Sequence, residues 1–112
     1  MKHSNFALLV LLFLNGTALP QQAPEREFAL ILKDHKFDKA VLEVKEGEKF
    51  SITVVNSDKS FEEFESKSLN FEKFMKPGAK VTVYLGPLKA GEYDYFAEFH
   101  ASTGRGKLIV KP

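Results

Sequence analysis

The chain has 112 residues, 28% charged and 44% hydrophobic, with 16 basic against 15 acidic side chains and no cysteine. That length holds one domain and not two, and the even charge balance argues against nucleic acid or an anionic membrane as the partner. Without cysteine there is neither a disulfide nor a thiolate, so the domain rests on its core, to which 11 phenylalanines bring large buried area.

The first segment, residues 1–18, reads as a secretory signal peptide. Met1–Asn5 carries the positive charge of Lys2, Phe6–Leu14 is an unbroken apolar run, and Gly16 and Ala18 are small enough for a signal peptidase. Nine apolar residues cover roughly half of a ~30 Å hydrocarbon core, so no membrane span is expected after cleavage. The glycosylation sequon Asn15-Gly16-Thr17 falls inside the segment to be removed and carries no weight. Cleavage after Ala18 takes Lys2 away and leaves 94 residues with 15 basic and 15 acidic side chains. The chain is expected to be exported.

Residues 19–26, with two prolines and no apolar periodicity, read as a mobile leader, and the folded domain as 27–112. Phe28, Leu30 and Leu32 alternate with Ala29, Ile31 and Lys33, the pattern of a strand with one buried face. Val41–Val44 forms a second strand, ended by Glu46-Gly47-Glu48, and Phe50, Ile52 and Val54 mark a third. Leu69, Phe71, Phe74 and Met75 have weak helical spacing and are expected to form a turn or two of helix on the flank, cut off by Pro77-Gly78. Val81–Leu85, Tyr93–Ala97 and Gly106–Val110 supply further strands. Short strands with Gly and Pro between them predict an all-β antiparallel sandwich or barrel. No serine–histidine–acid motif, phosphate loop or paired-cysteine site is present, so no enzyme is expected.

Three stretches carry a family resemblance. Val41–Asn56 resembles the opening of a cupredoxin, in which two strands around a Gly turn lead to an Asn. Six residues after Asn56, where that family commonly places its first histidine ligand, stands Glu62. The run Gly91-Glu92-Tyr93-Asp94-Tyr95-Phe96-Ala97-Glu98-Phe99-His100, closed by Gly106-Lys107-Leu108-Ile109-Val110, resembles the cupredoxin Gly-x-Tyr-x-Phe-x-Cys-x-x-His ending. Ala97 stands at the cysteine place, His100 at the histidine place and Arg105 near the methionine place. The stretches Phe61–Ser66 and Tyr95–His100 look like the cysteine-free cupredoxin-like domains of bacterial iron-uptake loci, including EfeO-type proteins. That resemblance implies an all-β, cupredoxin-like antiparallel Greek-key β-sandwich and a periplasmic role with a copper or iron ion. It also implies a membrane iron permease or a periplasmic iron-binding protein as possible partners.

Blue-copper electron transfer needs a thiolate that Ala97 does not supply. By the resemblance, Glu62 and His100 meet at one end of the sandwich, and a carboxylate with an imidazole suits Cu(II), Fe(II), Zn or Mn. Arg105 pairing with Glu62 or Glu98 would make that end structural instead. His35 and His3 have no such match, and His3 leaves with the signal peptide. The resemblance sets the segments 61–66 and 91–100 side by side, and together they hold six acids and no Lys or Arg. Period-two alternation then puts Glu63 and Glu65 on the same outer face as Asp94 and Glu98, a second place for a cation, or else a solvated strand face. Phe61, Phe71, Phe74, Tyr84 and Phe96 are assigned to the core or its rim. Two functions follow: a metal-binding protein that binds or hands over a cation, or a metal-free protein-interaction module on the same scaffold.

Overall fold

The computed structural model describes residues 25–112, so the expected signal peptide at 1–18 and the leader up to residue 24 lie outside it. Nine strands follow in order: β1 (Arg26–Lys33), β2 (Lys36–Phe37), β3 (Val41–Lys45), β4 (Phe50–Asn56), β5 (Glu62–Ser66), β6 (Phe71–Met75), β7 (Lys80–Leu85), β8 (Gly91–Ala97) and β9 (Arg105–Lys111). A single 3-10 turn, Glu98–His100, sits between β8 and β9. No helix among the described residues is long and apolar enough to cross a membrane.

The strands form two sheets, ordered β2-β1-β4-β7 and β3-β9-β8-β5-β6. The sandwich implied by the resemblance is present, but it is not antiparallel throughout: two ladders run parallel, β1 beside β4 and β3 beside β9. Alternation tells which face a residue takes and not which way the neighbouring strand runs. The chain leaves the first sheet after β2, lays β3 in the second and returns as β4, so β4 lies beside β1 in the same direction.

The core lies between the sheets and follows the predicted inner faces. Leu30 and Leu32 of β1, Ile52 and Val54 of β4, and Leu108 and Val110 of β9 are all buried. Each such side chain removed from water contributes about 1.5–3 kcal/mol. Toward one end Phe37, Phe64 and Tyr95 pack edge to face, with ring centroids 5.2 to 5.8 Å apart. The Tyr95 hydroxyl donates to the carbonyl of Lys39 at 3.0 Å, and burial, with a smaller effect of the Asp38 charge, pushes its pKa up. This aromatic layer is a firm floor for the loops above it.

One predicted element differs. Residues 71–75 are strand β6, antiparallel to β5, where a short helix was expected. The intervening turn decides this. Asn70 takes a left-handed φ of 59°, and Ser66 Oγ accepts the Leu69 N–H at 3.0 Å, closing a hairpin. As an edge strand β6 buries Met75 and leaves Phe74 55% exposed, a mixed pattern that imitates weak helical spacing. Phe61 and Tyr84, expected at the core or rim, are likewise exposed, whereas Phe71 packs against the core and Phe96 is buried.

Candidate metal centre

Three loops meet at one end of the sandwich: the β1–β2 turn, the β4–β5 loop and the β8–β9 connection. Asn56, fully buried at the end of β4, ties down the middle one. Its amide donates to the carbonyls of Ser60, Met75 and Lys76 at 2.9 to 3.3 Å, and its Oδ1 accepts the Asp58 N–H at 3.1 Å. Asp58 in turn clamps the first loop, its two carboxylate oxygens accepting the N–H groups of Asp34 at 2.7 Å and His35 at 2.9 Å.

Glu62 opens β5 and points inward on the same face as Phe64, as alternation requires, so its carboxylate is only 1% exposed. A buried charge is tolerated only when it is partnered, and this one is. Glu62 Oε1 accepts the N–H of Glu63 at 3.0 Å and of Phe99 at 2.7 Å, while Oε2 lies 2.6 Å from His100 Nδ1. Because Glu62 already serves as acceptor to two backbone donors, Nδ1 of His100 is the donor. The structure thus brings Glu62 and His100 into direct contact, with both carboxylate oxygens engaged. A carboxylate on one nitrogen of an imidazole fixes the tautomer and leaves the other nitrogen, Nε2, as the ligating atom.

The other face of the His100 ring is covered by His35. The two imidazoles stack with centroids 3.5 Å apart and planes 6° from parallel. His35 Nε2 is 3.5 Å from Ser60 Oγ. Sequence reasoning set His35 aside because no motif marks it. The available signal was its place in a two-residue hairpin turn, Asp34-His35, which delivers it to the sandwich end shared with His100.

Ala97, at the cysteine place, is fully buried and packs against Gly104, where an added Cβ would come within 2.7 Å of the Ala97 Cβ. Arg105 makes no ion pair with Glu62 or Glu98 among the described residues. Its guanidinium lies 5.5 Å from the centre of the Phe96 ring, so it does not occupy the sandwich end.

The outer acidic face differs from the expected set. Glu63 and Glu65 come together with Glu72, with one carboxylate oxygen of each within 4.8 Å of the others. Glu72 was missed because β6 was read as a helical turn; in the hairpin it stands opposite Glu65. Glu98 is near enough to act on Glu65. Partial burial, then the Glu98 and Glu72 charges, then Glu63 hold Glu65 above its ordinary carboxylate value. Asp94 does not join them. β5 pairs with β8 only at Phe64–Ala97 and Glu65–Phe96, while Asp94 lies further along β8 opposite Lys107, in a recess it shares with Lys67 and Arg105. Glu98 lines the same recess, but the charged residues around Asp94 are mostly basic, and it does not join the Glu63–Glu65–Glu72 cluster.

Comparison with known proteins places this geometry. A family model described as Cupredoxin-like domain matches residues 5–110. The chain is 39% identical over 84 residues to uncharacterized protein RP394 of Rickettsia prowazekii (strain Madrid E), covering 75% of this chain and 67% of that protein. Among solved structures it is similar to the metal binding domain of the Cu(I) exporting P-type ATPase CopA of Streptococcus pneumoniae. There the TM-score is 0.71 at 9% identity, over 83% of this chain and 92% of that one. A mutant amicyanin in its Cu(I) form matches with a TM-score of 0.59 at 20% identity, over 80% and 87% of the two chains. The Blue Copper Oxidase of Nitrosomonas europaea matches with a TM-score of 0.68 at 18% identity; the likeness covers 80% of this chain and only 39% of the oxidase. On the family match and the shared sandwich, the chain belongs to the cupredoxin-like domain family, as a member without the blue-copper cysteine.

Proposed function

We propose that this is an exported, periplasmic metal-binding protein that takes a cation at the Glu62–His100 end and buffers or hands it over. The observation that carries the reading is the 2.6 Å contact of His100 Nδ1 with a carboxylate that is itself buried and held by two backbone N–H groups. Structural imidazoles find a partner anywhere; here the partner fixes the ring and leaves Nε2 for a ligand, as in metal sites generally. A thiolate centre does not fit this chain, since Ala97 fills the cysteine place and no cysteine exists. Nitrogen with water or hydroxyl donors does fit, and that donor set suits Cu(II) before the harder ions. Copper is therefore the first candidate and iron the second. A membrane permease or a periplasmic iron-binding protein is the partner class suggested by the resemblance to iron-uptake domains. Bound there, the ion would exchange with water and a partner's ligands rather than shuttle electrons through a thiolate.

A metal-free interaction module is the second reading, and one observation favours it. Phe61 and Phe74 are 53% and 55% exposed with ring centroids 5.5 Å apart, and Phe99, whose N–H reaches Glu62, is 50% exposed. Calorimetric titration with Cu(II), Zn(II), Fe(II) and Fe(III) separates the two. Saturable binding of one ion that His100→Ala abolishes is expected. No saturable binding of any of them leaves the interaction module.

A further inference from the structure

Resting on that reading, we propose that His35 is the second metal-facing imidazole of this end, and that Glu62 is a positioning residue rather than a ligand. The site is then a two-imidazole site for a nitrogen-preferring divalent cation, Cu(II) being the probe. Nothing in the sequence motif marks His35, and it comes from a different loop than either expected ligand.

Three observations carry this. The first is the role of Glu62. Both its oxygens are already taken by two backbone N–H groups and by His100 Nδ1, so coordination by Glu62 would break bonds that hold the loop end together. The second is the imidazole pair. Rings stacked 3.5 Å apart and 6° from parallel set both imidazoles at the same end, but a ring nitrogen's lone pair lies in its ring plane, so one ion takes both only once the His35 ring turns about its χ2 out of the stack. His35 Nε2 has only the long 3.5 Å contact with Ser60 Oγ, a partner weak enough to be exchanged for a metal bond.

The third is the backbone at His35. Asp34 and His35 are the two central residues of the β1–β2 turn, and both are left-handed, with φ of 53° and 61°. A turn with two positive φ values is best served by Asn-Gly or Asp-Gly, and a glycine in the second place would relieve the strain without loss to the hairpin. Here the second place holds a histidine, kept in position from two sides. Asp58 accepts both turn N–H groups, and Thr103 Oγ1, from the loop that carries His100, donates to the His35 carbonyl at 2.8 Å. Strain fixed in place by the surrounding loops is characteristic of a residue held for use. What the arrangement fixes is the distance between the His35 and His100 rings.

The test counts nitrogens as well as affinity. The chain has three histidines, so every protein is made in a His3→Ala background to keep the amino-terminal one from contributing. Cu(II) is titrated by calorimetry and the complex read by pulsed electron paramagnetic resonance, which resolves the number of coordinated imidazoles. The parent is expected to show two. His35→Asn, which tolerates the left-handed turn, should show one and bind Cu(II) at least about tenfold more weakly, and His35→Gly should do the same with the turn relaxed. Glu62→Gln should keep two imidazoles while losing roughly tenfold or more in affinity, as expected when the group that orients a ligand is weakened. If the parent binds Cu(II) through one imidazole and His35→Asn changes nothing, the inference is wrong and the proposed function stands. If the parent binds no Cu(II) at all, this inference is wrong, and the proposed function falls with it only when Zn(II), Fe(II) and Fe(III) also fail to bind. A Glu62→Gln protein that loses carboxylate coordination while keeping both imidazoles would overturn the positioning role alone.

Discussion

The two places where this molecule gathers acids handle negative charge in opposite ways. At the sandwich end Glu62 is buried to 1% exposure, yet each of its oxygens has donors, and an imidazole stands against it. On the outer face Glu63, Glu65 and Glu72 crowd together without a basic partner, and Glu65 answers by holding its proton more tightly. The first is a satisfied network whose members depend on one another; the second is repulsion around a carboxylate, Glu65, that is itself only 7% exposed. Carboxylates near each other are therefore a poor guide to a site. A buried carboxylate that orients an imidazole is a better one, because burial makes its geometry binding on the chain.

The difference should be plainest when Glu62 is removed. Glu62→Ala leaves two backbone N–H groups and the His100 ring without their acceptor inside the protein, and should destabilise it by about 3–5 kcal/mol. Glu62→Gln, which keeps an acceptor oxygen, should lose less, about 1–3 kcal/mol. Urea denaturation at unchanged m-value measures both. A loss below about 1 kcal/mol for the alanine variant, the size of an exposed ion pair, would mean the end is no tighter than the face.

The same contrast appears in packing. Gly104→Ala puts a Cβ 2.7 Å from that of Ala97 and 3.2 Å from the His35 carbonyl, both held by β-structure or a clamped turn. Overpacking of this kind should destabilise by about 1–3 kcal/mol, and it should also disturb the His35–His100 stack. Glu72→Ala on the exposed edge strand should stay within about 0.5 kcal/mol of the parent. Chemical denaturation of the pair, run together, checks this. Equal stabilities would show that the loops at the end have room to move.

How much of this was legible in the sequence depends on the range of the interaction. Which face each residue takes was readable from alternation, since a strand's side-chain period is a local property: Leu30, Ile52, Tyr95 and Leu108 are all inside. The meeting of Glu62 and His100 was readable only through the resemblance, because 38 residues separate them along the chain. The direction of β4 beside β1, the hairpin of β5 with β6, and therefore the place of Glu72, were not readable. They depend on sheet order and on a left-handed Asn70 that apolar spacing does not reveal. His35 was missed for the same reason. A lone histidine gains meaning from what lies across the fold, and that is set by the Asp58 clamp from another loop.

The smallest effect belongs to the acidic face, and its sign follows from Glu65. Partial burial and the charges of Glu98, Glu72 and Glu63 raise its pKa in the folded protein above the unfolded value. Folding therefore favours the protonated form. The penalty is fully present above the folded pKa, shrinks as pH falls through it, and is gone below the unfolded pKa. Glu65→Gln removes the group altogether, so its melting temperature should lie slightly above that of the parent at neutral pH, and the gap should close as pH falls through the carboxylate range. Adding Glu98→Gln takes away the largest charge acting on Glu65 and should add little, because the first cause of the shift is burial and a neutral residue 65 no longer feels it. Calorimetric melting across that pH range reads all of this. The double variant should also bind Cu(II) as tightly as the parent if the cation belongs to the imidazole end. Weaker binding with an unchanged imidazole count would show that the face contributes, whether as ligands or as a field that gathers cations near the site. A parent and a double variant that melt alike at every pH would mean that the three clustered carboxylates are solvated well enough not to feel one another.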